Sequence, residues 1–339
     1  MRKKEVVKIL GLAFVVFFAT CCNSESRKTR LEYISLSVEA RYNQFNDTTF
    51  VTDGITEIAA KDGRIFINDA KLNKSLILNN KFEVQNYIER GYGPEEILGA
   101  NFVQFENESL FVFDNHKLQV SQFDLKGRFQ RKMRPKDTLI MLYDRKPAIF
   151  PSGEIFAPSL RSDKPIVHFD KKMDIVKTFG TVQEFENYSH HRSINSQNIL
   201  ALKDGKVASV WSSRPFVQLF SSKGEVLDSL DLSEFLGFRS RVYDELLKQN
   251  PRRKYTLQFD YYRDITSFED TIYLLFIGNN KALASNEIIV INAKGDKLTF
   301  DRVLKLDVPN SFFYEIAVDE NILYAFEKAG AELMKFQID

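Results

Sequence analysis

"LFVFDNHKLQVSQFDLKGRFQ", residues 110–130, contains two strand signals and the two breaks that shape them. The first run, "LFVFDN", is aromatic and β-branched and follows the polar turn Asn107-Glu108. The second, "LQVSQFDLKGRFQ", runs into Asp124-Leu125-Lys126-Gly127, whose glycine supplies the backbone freedom that a tight hairpin demands. Strand, loop, strand, turn and strand thus follow one another within about twenty residues, a spacing that belongs to antiparallel sheet.

The same order recurs along the chain. Counterparts of the first run are "GRIFIND", "EIFAPS", "KVASVW", "TIYLLF" and "ILYAF", each after a polar turn such as Lys61-Asp62-Gly63 or Lys203-Asp204-Gly205. Counterparts of the second are "SLILNNKFEV", "PIVHFDKKMDIVK", "FVQLFSSKGEVLD" and "EIIVINAKGDKLT". Anchor residues Asn79, Asp124, Asp170, Ser221 and Asn292 lie 45, 46, 51 and 71 residues apart, the last gap carrying an insertion. Four strands repeated every 40–50 residues is the period of a propeller blade. The expected fold is all-β: a six-bladed β-propeller with four-stranded antiparallel blades over residues 31–339. The sixth unit stops after its third strand at "MKFQID". The strand Leu31–Val38 is expected to close the ring by pairing with the strand around Leu333–Ile338, removing an open edge. A pair of stacked sandwiches is the competing all-β arrangement, but it does not require a regular four-strand period. The insertion, about residues 233–258, reads as helical, with Val242 and Leu246 on one face of a helix Arg239–Asn250 that stops before Pro251.

Between the first and second units stands "RGYGPEEIL", residues 90–98. A phosphate-cradling loop needs a run of N–H donors leading into a helix. Pro94 removes a donor, Glu95 and Glu96 repel phosphate, and a strand follows, so the stretch reads as an inter-blade turn. It resembles the signature of the TolB-like six-bladed β-propeller lipoproteins of Bacteroidetes, although Glu95 stands where glycine is usual and Ile97 where an aromatic is usual. The resemblance spans the mature chain. It implies a bacterial cell-envelope propeller and carries no catalytic residue set.

The first 20 residues fit that address. Arg2, Lys3, Lys4 and Lys8 precede the apolar run Ile9–Ala19, eleven residues against the ~20 needed to span a bilayer. Small residues then lead to Cys21 and Cys22. Residues 1–20 are read as a lipoprotein signal peptide, Cys21 as the lipidated residue with Cys22 as the alternative, and residues 21–30 as a tether. An outer-membrane lipoprotein is expected, on its periplasmic or its surface side. Removing residues 1–20 takes away four bases and one acid, turning the formal charge of +1 into −2, which gives no electrostatic basis for nucleic-acid binding. With no cysteine beyond position 22, disulfides, thiolate metal sites and a cysteine nucleophile are excluded from the folded body.

Propeller topology places the loops between second and third strands on one face with the inter-blade connections. The expected ligand-binding mouth on that face comprises Arg90, Tyr92, Arg161, His190, Arg192, Trp211 and Arg214. Arginines with aromatics suit an anionic or saccharide ligand. His190-His191 has no nearby acid to complete a metal site, so no metal and no cofactor are expected. The functional expectation is a membrane-anchored, non-enzymatic propeller binding a small polar or saccharide ligand or an envelope protein. The alternative is a propeller enzyme, a lactonase-like hydrolase or a lyase, with a metal in the central channel.

Overall fold

The computed structural model describes residues 31–46, 49–72, 74–137, 145–159, 164–184, 191–192, 194–236, 260–277 and 285–338. The chain begins with β1 (Tyr33–Leu36) and β2 (Val38–Tyr42), then a small hairpin of β3 (Gln44–Asn46) and β4 (Thr49–Phe50). Blade one follows as β5 (Ile55–Lys61), β6 (Arg64–Asp69), β7 (Lys74–Asn79) and β8 (Val84–Glu89). Blade two is β9 (Ala100–Glu106), β10 (Ser109–Asp114), β11 (Gln119–Asp124) and β12 (Phe129–Met133). Blade three is β13 (Ala148–Ile149), β14 (Ile155–Pro158), β15 (Ile166–Phe169) and β16 (Ile175–Phe179). Blade four is β17 (Gln197–Ala201), β18 (Val207–Trp211), β19 (Phe216–Phe220) and β20 (Val226–Asp231), followed by the short helix α1 (Ser233–Leu236). Blade five is β21 (Tyr262–Phe268), β22 (Thr271–Phe276), β23 (Glu287–Asn292) and β24 (Thr299–Leu306). Blade six takes β25 (Phe313–Asp319), β26 (Ile322–Glu327) and β27 (Glu332–Gln337) from the end of the chain and β2 from its beginning. The expected helix Arg239–Asn250 lies outside the described residues.

Each blade buries both faces, which is why its middle strands read as unbroken apolar runs. Ile65, Phe66 and Ile67 are all fully buried although they point alternately to opposite sides. The core is accordingly divided into six apolar clusters, each shared by two neighbouring blades: one and two, two and three, and so on round to six and one. A two-sandwich packing would not make such a cyclic set.

The turns explain the period. Hairpins joining first and second strands place Asp62, Asn107, Asp204, Glu269 and Glu320 at positive φ of 51–59°. Asn and Asp tolerate this conformation better than most residues. Hairpins joining third and fourth strands turn on the anchor residues themselves. A side-chain oxygen of Asn79, Asp124, Asp170 and Ser221 accepts the N–H groups two and four residues on, at 2.8–3.2 Å. The local bond that makes the turn thus writes a residue every 45–51 positions into the sequence.

Closure is by an N-terminal strand, but by a later one than expected. Val38–Tyr42 pairs antiparallel with β27, Val38 lying opposite Phe336 and Tyr42 opposite Leu333. The segment expected to close the ring holds β1 instead. Tyr33–Leu36 pairs in parallel with β24, giving blade five a fifth strand. Leu36, 4% exposed, decides this: it inserts into the apolar cluster between blades five and six and fixes the crossover from one blade edge to the next.

Candidate functional site in the central channel

Register places six residues at one level around the propeller axis. Ala59, Gln104, Ala148, Leu200, Thr266 and Ala317 lie opposite equivalent residues of the second strands. Two residues earlier in each blade come Glu57, Phe102, Lys146, Asn198, Asp264 and Glu315. In blades one, two, five and six the ladder shifts register just before this position, so Thr56, Asn101, Arg263 and Tyr314 are bulged. A bulge bends its strand and re-aims the neighbouring side chain, here near the channel.

Lys146 joins this ring together. Its Nζ lies 2.8 Å from Asp264 Oδ1, 3.4 Å from Glu57 Oε1 and 6.0 Å from the centre of the Phe102 ring, and it donates to the Ile265 carbonyl at 2.9 Å. The Lys146 backbone N–H donates to Asn198 Oδ1 at 2.9 Å. Asp264 also accepts from the N–H groups of Ile265 (2.7 Å) and Ile316 (2.8 Å). Burial pushes the Glu57 carboxyl up to about 8 against the pull of Lys146, with Asp264 pushing the same way as burial. Burial and the carboxylates of Asp264 and Glu57 also hold Glu315 well above the ordinary range. Glu315 is half-buried by surface area, yet it lies deep enough in the channel to be desolvated by its surroundings. Burial lowers Lys146, but Asp264, Glu57 and Glu315 together hold it above its usual value. At neutral pH the ring therefore carries one ammonium against one carboxylate, with Glu57 and Glu315 retaining their protons.

On the hairpin side of the ring lies a cavity of about 930 Å³, bounded above by Glu57, Phe102 and Lys146. Its lower rim bears one acid from each blade: Asp62, Glu106, Glu154, Asp204, Glu269 and Glu320. Lys61 spans from blade one to Glu106 at 3.7 Å, and Lys203 from blade four to Glu269 at 3.4 Å. His168 also lines the cavity. Its ring stacks on Phe156 at 4.2 Å, its Nε2 lies 3.0 Å from Glu154 Oε1, and its buried Nδ1 has no partner. Burial lowers the His168 pKa despite the nearby Glu154. Among the described residues no group of three or more His, Cys, Asp or Glu is placed to hold a metal ion.

Of the residues expected at the mouth, Arg90, Tyr92, Arg192, Trp211 and Arg214 belong to the opposite face, where inter-blade connections meet the loops between second and third strands. Arg90 donates to the carbonyls of Ala70 (2.9 Å), Leu72 (3.4 Å) and Leu98 (2.7 Å), clipping the blade-one loop to its connection. Tyr92 is 89% exposed. Glu96 folds back so that its Oε2 accepts the Gly93 N–H at 2.7 Å. A Cβ on Gly91 or Gly93 would strike that carboxylate, so these glycines make room for a side chain. Trp211 is buried, with Arg214 4.8 Å above its ring. Arg192 is exposed in the connection before blade four. Arg161 and His190 lie outside the described residues. Of the set, Trp211 and Arg214 touch, whereas Arg90 and Tyr92 belong to the junction of blades one and two. The ring residues were not singled out from sequence. An alignment of the six inner strands would have shown them, since five of the six precede a β-branched residue: Ile58, Val103, Ile199, Ile265 and Ile316.

Known structures share the architecture. A putative exported protein from Bacteroides fragilis is 14% identical, with 86% of this chain and 88% of that chain aligned at a TM-score of 0.56. A DUF4221 family member from Bacteroides vulgatus is 10% identical over 89% and 97% of the two chains, TM-score 0.51. Virginiamycin B lyase from Staphylococcus aureus is 10% identical over 88% and 99%, also at 0.51. At these identities the likeness is one of fold. No curated protein matches the sequence. The DUF5128 family, described as a 6-bladed β-propeller, matches residues 29–213, more than half of the chain, covering blades one to three and the first two strands of blade four, and the protein is a member of that family.

Proposed function

We propose that this propeller is a TolB-like, lipid-anchored binding protein of the bacterial outer membrane, attached through Cys21, or through Cys22, and acting without chemistry of its own. The observation that carries the reading is the cavity below the channel ring. Its size suits a small-molecule ligand. Its one central cation, Lys146, is already balanced by Asp264 at 2.8 Å, which leaves a lining richer in acceptors than in free donors. Such a lining favours a hydroxyl-rich or amine-bearing ligand, a saccharide among them. The loop face with Tyr92, Arg192 and Arg214 would then serve as a second contact surface for ligand or partner.

The test is a binding screen of neutral oligosaccharides and small amines, followed by recovery of any bound compound. A compound that binds stoichiometrically and returns unchanged supports the reading; one consumed in turnover refutes the non-enzymatic part. Replacing Cys21 and Cys22 by Ser should release the protein from the membrane or leave the precursor unprocessed, and continued anchoring would refute the lipid attachment. A hydrolase or lyase reading has one observation in its favour. In the tautomer whose Nε2–H donates to Glu154, the Nδ1 of His168 is left as a buried, unpartnered base in the cavity wall. Metal analysis of the purified protein and loss of turnover in a His168→Gln variant would favour that reading.

A further inference from the structure

On the loop face, one level above the ring, stand two cations that make no ion pair among the described residues. Arg263 is the bulged residue of β21, and its guanidinium lies 4.7 Å from the centre of the Tyr314 ring and 5.1 Å from that of Phe312. Tyr314 is the bulged residue of the adjoining inner strand β25, and Lys328 Nζ lies 4.1 Å from the centre of the same ring. The Tyr314 ring therefore holds both cations, and the Phe312 ring adds a second face to the guanidinium. Neither Arg263 nor Lys328 makes an ion pair among the described residues, and the Nε of Arg263 is buried with no acceptor. The neighbouring acids are committed elsewhere, including Asp53, whose carboxyl is lowered chiefly by its hydrogen bond from Lys71 and only in small part by Lys328. Glu327 accepts the N–H groups of Phe312 and Ala329 at 3.1 Å and that of Gly330 at 2.5 Å, and Asp264 faces Lys146. Other cations of this face have partners: Arg90 holds three carbonyls, and Arg145 lies 3.3 Å from Asp260.

Aromatic rings orient a guanidinium and remove water from its flat face, but they do not neutralise it. A partly desolvated charge with its hydrogen-bonding edge unused is completed by an anion, and a carboxylate or phosphate matches a guanidinium with two parallel bonds. We propose that Arg263 and Lys328, held by Tyr314 and Phe312, form an anion-binding site for a carboxylate- or phosphate-bearing ligand at the junction of blades five and six. The site is separate from the cavity below the ring and does not depend on what that cavity holds. It also lies on a different blade junction from Trp211 and Arg214.

Calorimetric titration with inorganic phosphate and with succinate tests it, on the wild type and on R263Q, K328Q and R214Q variants whose melting midpoints match the wild type. Saturable binding of either probe is expected, weakened at least about ten-fold by R263Q, clearly by K328Q, and unchanged by R214Q. Saturation by neither probe overturns the site. So does an affinity that survives R263Q, or one that falls only in R214Q; the latter would move the anion to the blade-four rim and leave the binding reading standing. If R263Q and its Arg263→Lys counterpart both unfold the protein, K328Q decides: unchanged affinity overturns the proposal, and weakened affinity supports it.

Discussion

Glu57→Gln should change how stability depends on pH in a calculable way. In the folded ring, burial raises the Glu57 carboxyl from its ordinary 4.5 to about 8. The folded state therefore binds this proton more tightly than the unfolded chain does. The resulting stability is fully present below the unfolded value and is lost as pH rises through the folded one. At ~1.4 kcal/mol per pH unit, the span from 4.5 to about 8 corresponds to a loss of roughly 5 kcal/mol. The substituted amide cannot ionise, and it retains the shape of the protonated acid. The variant should match the wild type near about pH 5 and exceed it by several kcal/mol near about pH 8. Urea unfolding followed by the fluorescence of Trp211, the single tryptophan, measures both. Subtracting the variant's pH profile from that of the wild type removes the carboxyls common to both. If the two profiles run parallel from acid to alkaline pH, the channel does not hold a proton on Glu57, and the charge balance described for the ring is wrong.

Asp114→Ala should cost about 2–4 kcal/mol, because the buried carboxylate accepts the N–H groups of Leu98, His116 and Lys117 and would leave three donors without it; a shift under about 1 kcal/mol in chemical denaturation would contradict this. Arg90→Met should lower stability by about 1–3 kcal/mol through loss of its three carbonyl contacts, whereas Tyr92→Ala, at an exposed tip, should leave it within about 0.5 kcal/mol. Deleting residues 38–42 should bare the edge of β27 and produce aggregation visible by size-exclusion chromatography; a monodisperse, fully folded product would contradict closure by β2.

Blades were legible in the sequence because their signals are local. A turn such as Asp124 to Gly127 declares itself within four residues, and the strands beside it carry their own β-branched and aromatic bias. The order of blades followed from repetition. Closure was legible as a need, since "MKFQID" leaves a blade one strand short, but the choice between Leu31–Val38 and Val38–Tyr42 rests on where Leu36 finds its cavity, which is a tertiary fact. The channel ring was hidden for a different reason. Its members come one from each blade, are chemically unlike one another, and acquire meaning only when register and bulges bring Glu57, Lys146 and Asp264 to one axis. Arg90 shows the converse. Its neighbours in sequence suggested display, yet its guanidinium holds the loop together.

The shared final blade also imposes a timetable. Ribosomes deliver a chain from its beginning, but β2 has no partner until β27, almost 300 residues later, has been delivered. Blades one to five can each form their own hairpins as they emerge, while the strand that will lock the ring has to wait unpaired. The last intermediate on the way to the folded protein is therefore an open ring with two free sheet edges, those of β2 and β27, both of which are seeking the same kind of bond. Two chains caught at this stage could satisfy each other by exchanging β2, a swapped dimer that satisfies the same backbone pairing as the closed ring. Dilution during refolding, or a chaperone that shields β2 until blade six is complete, would favour the monomer.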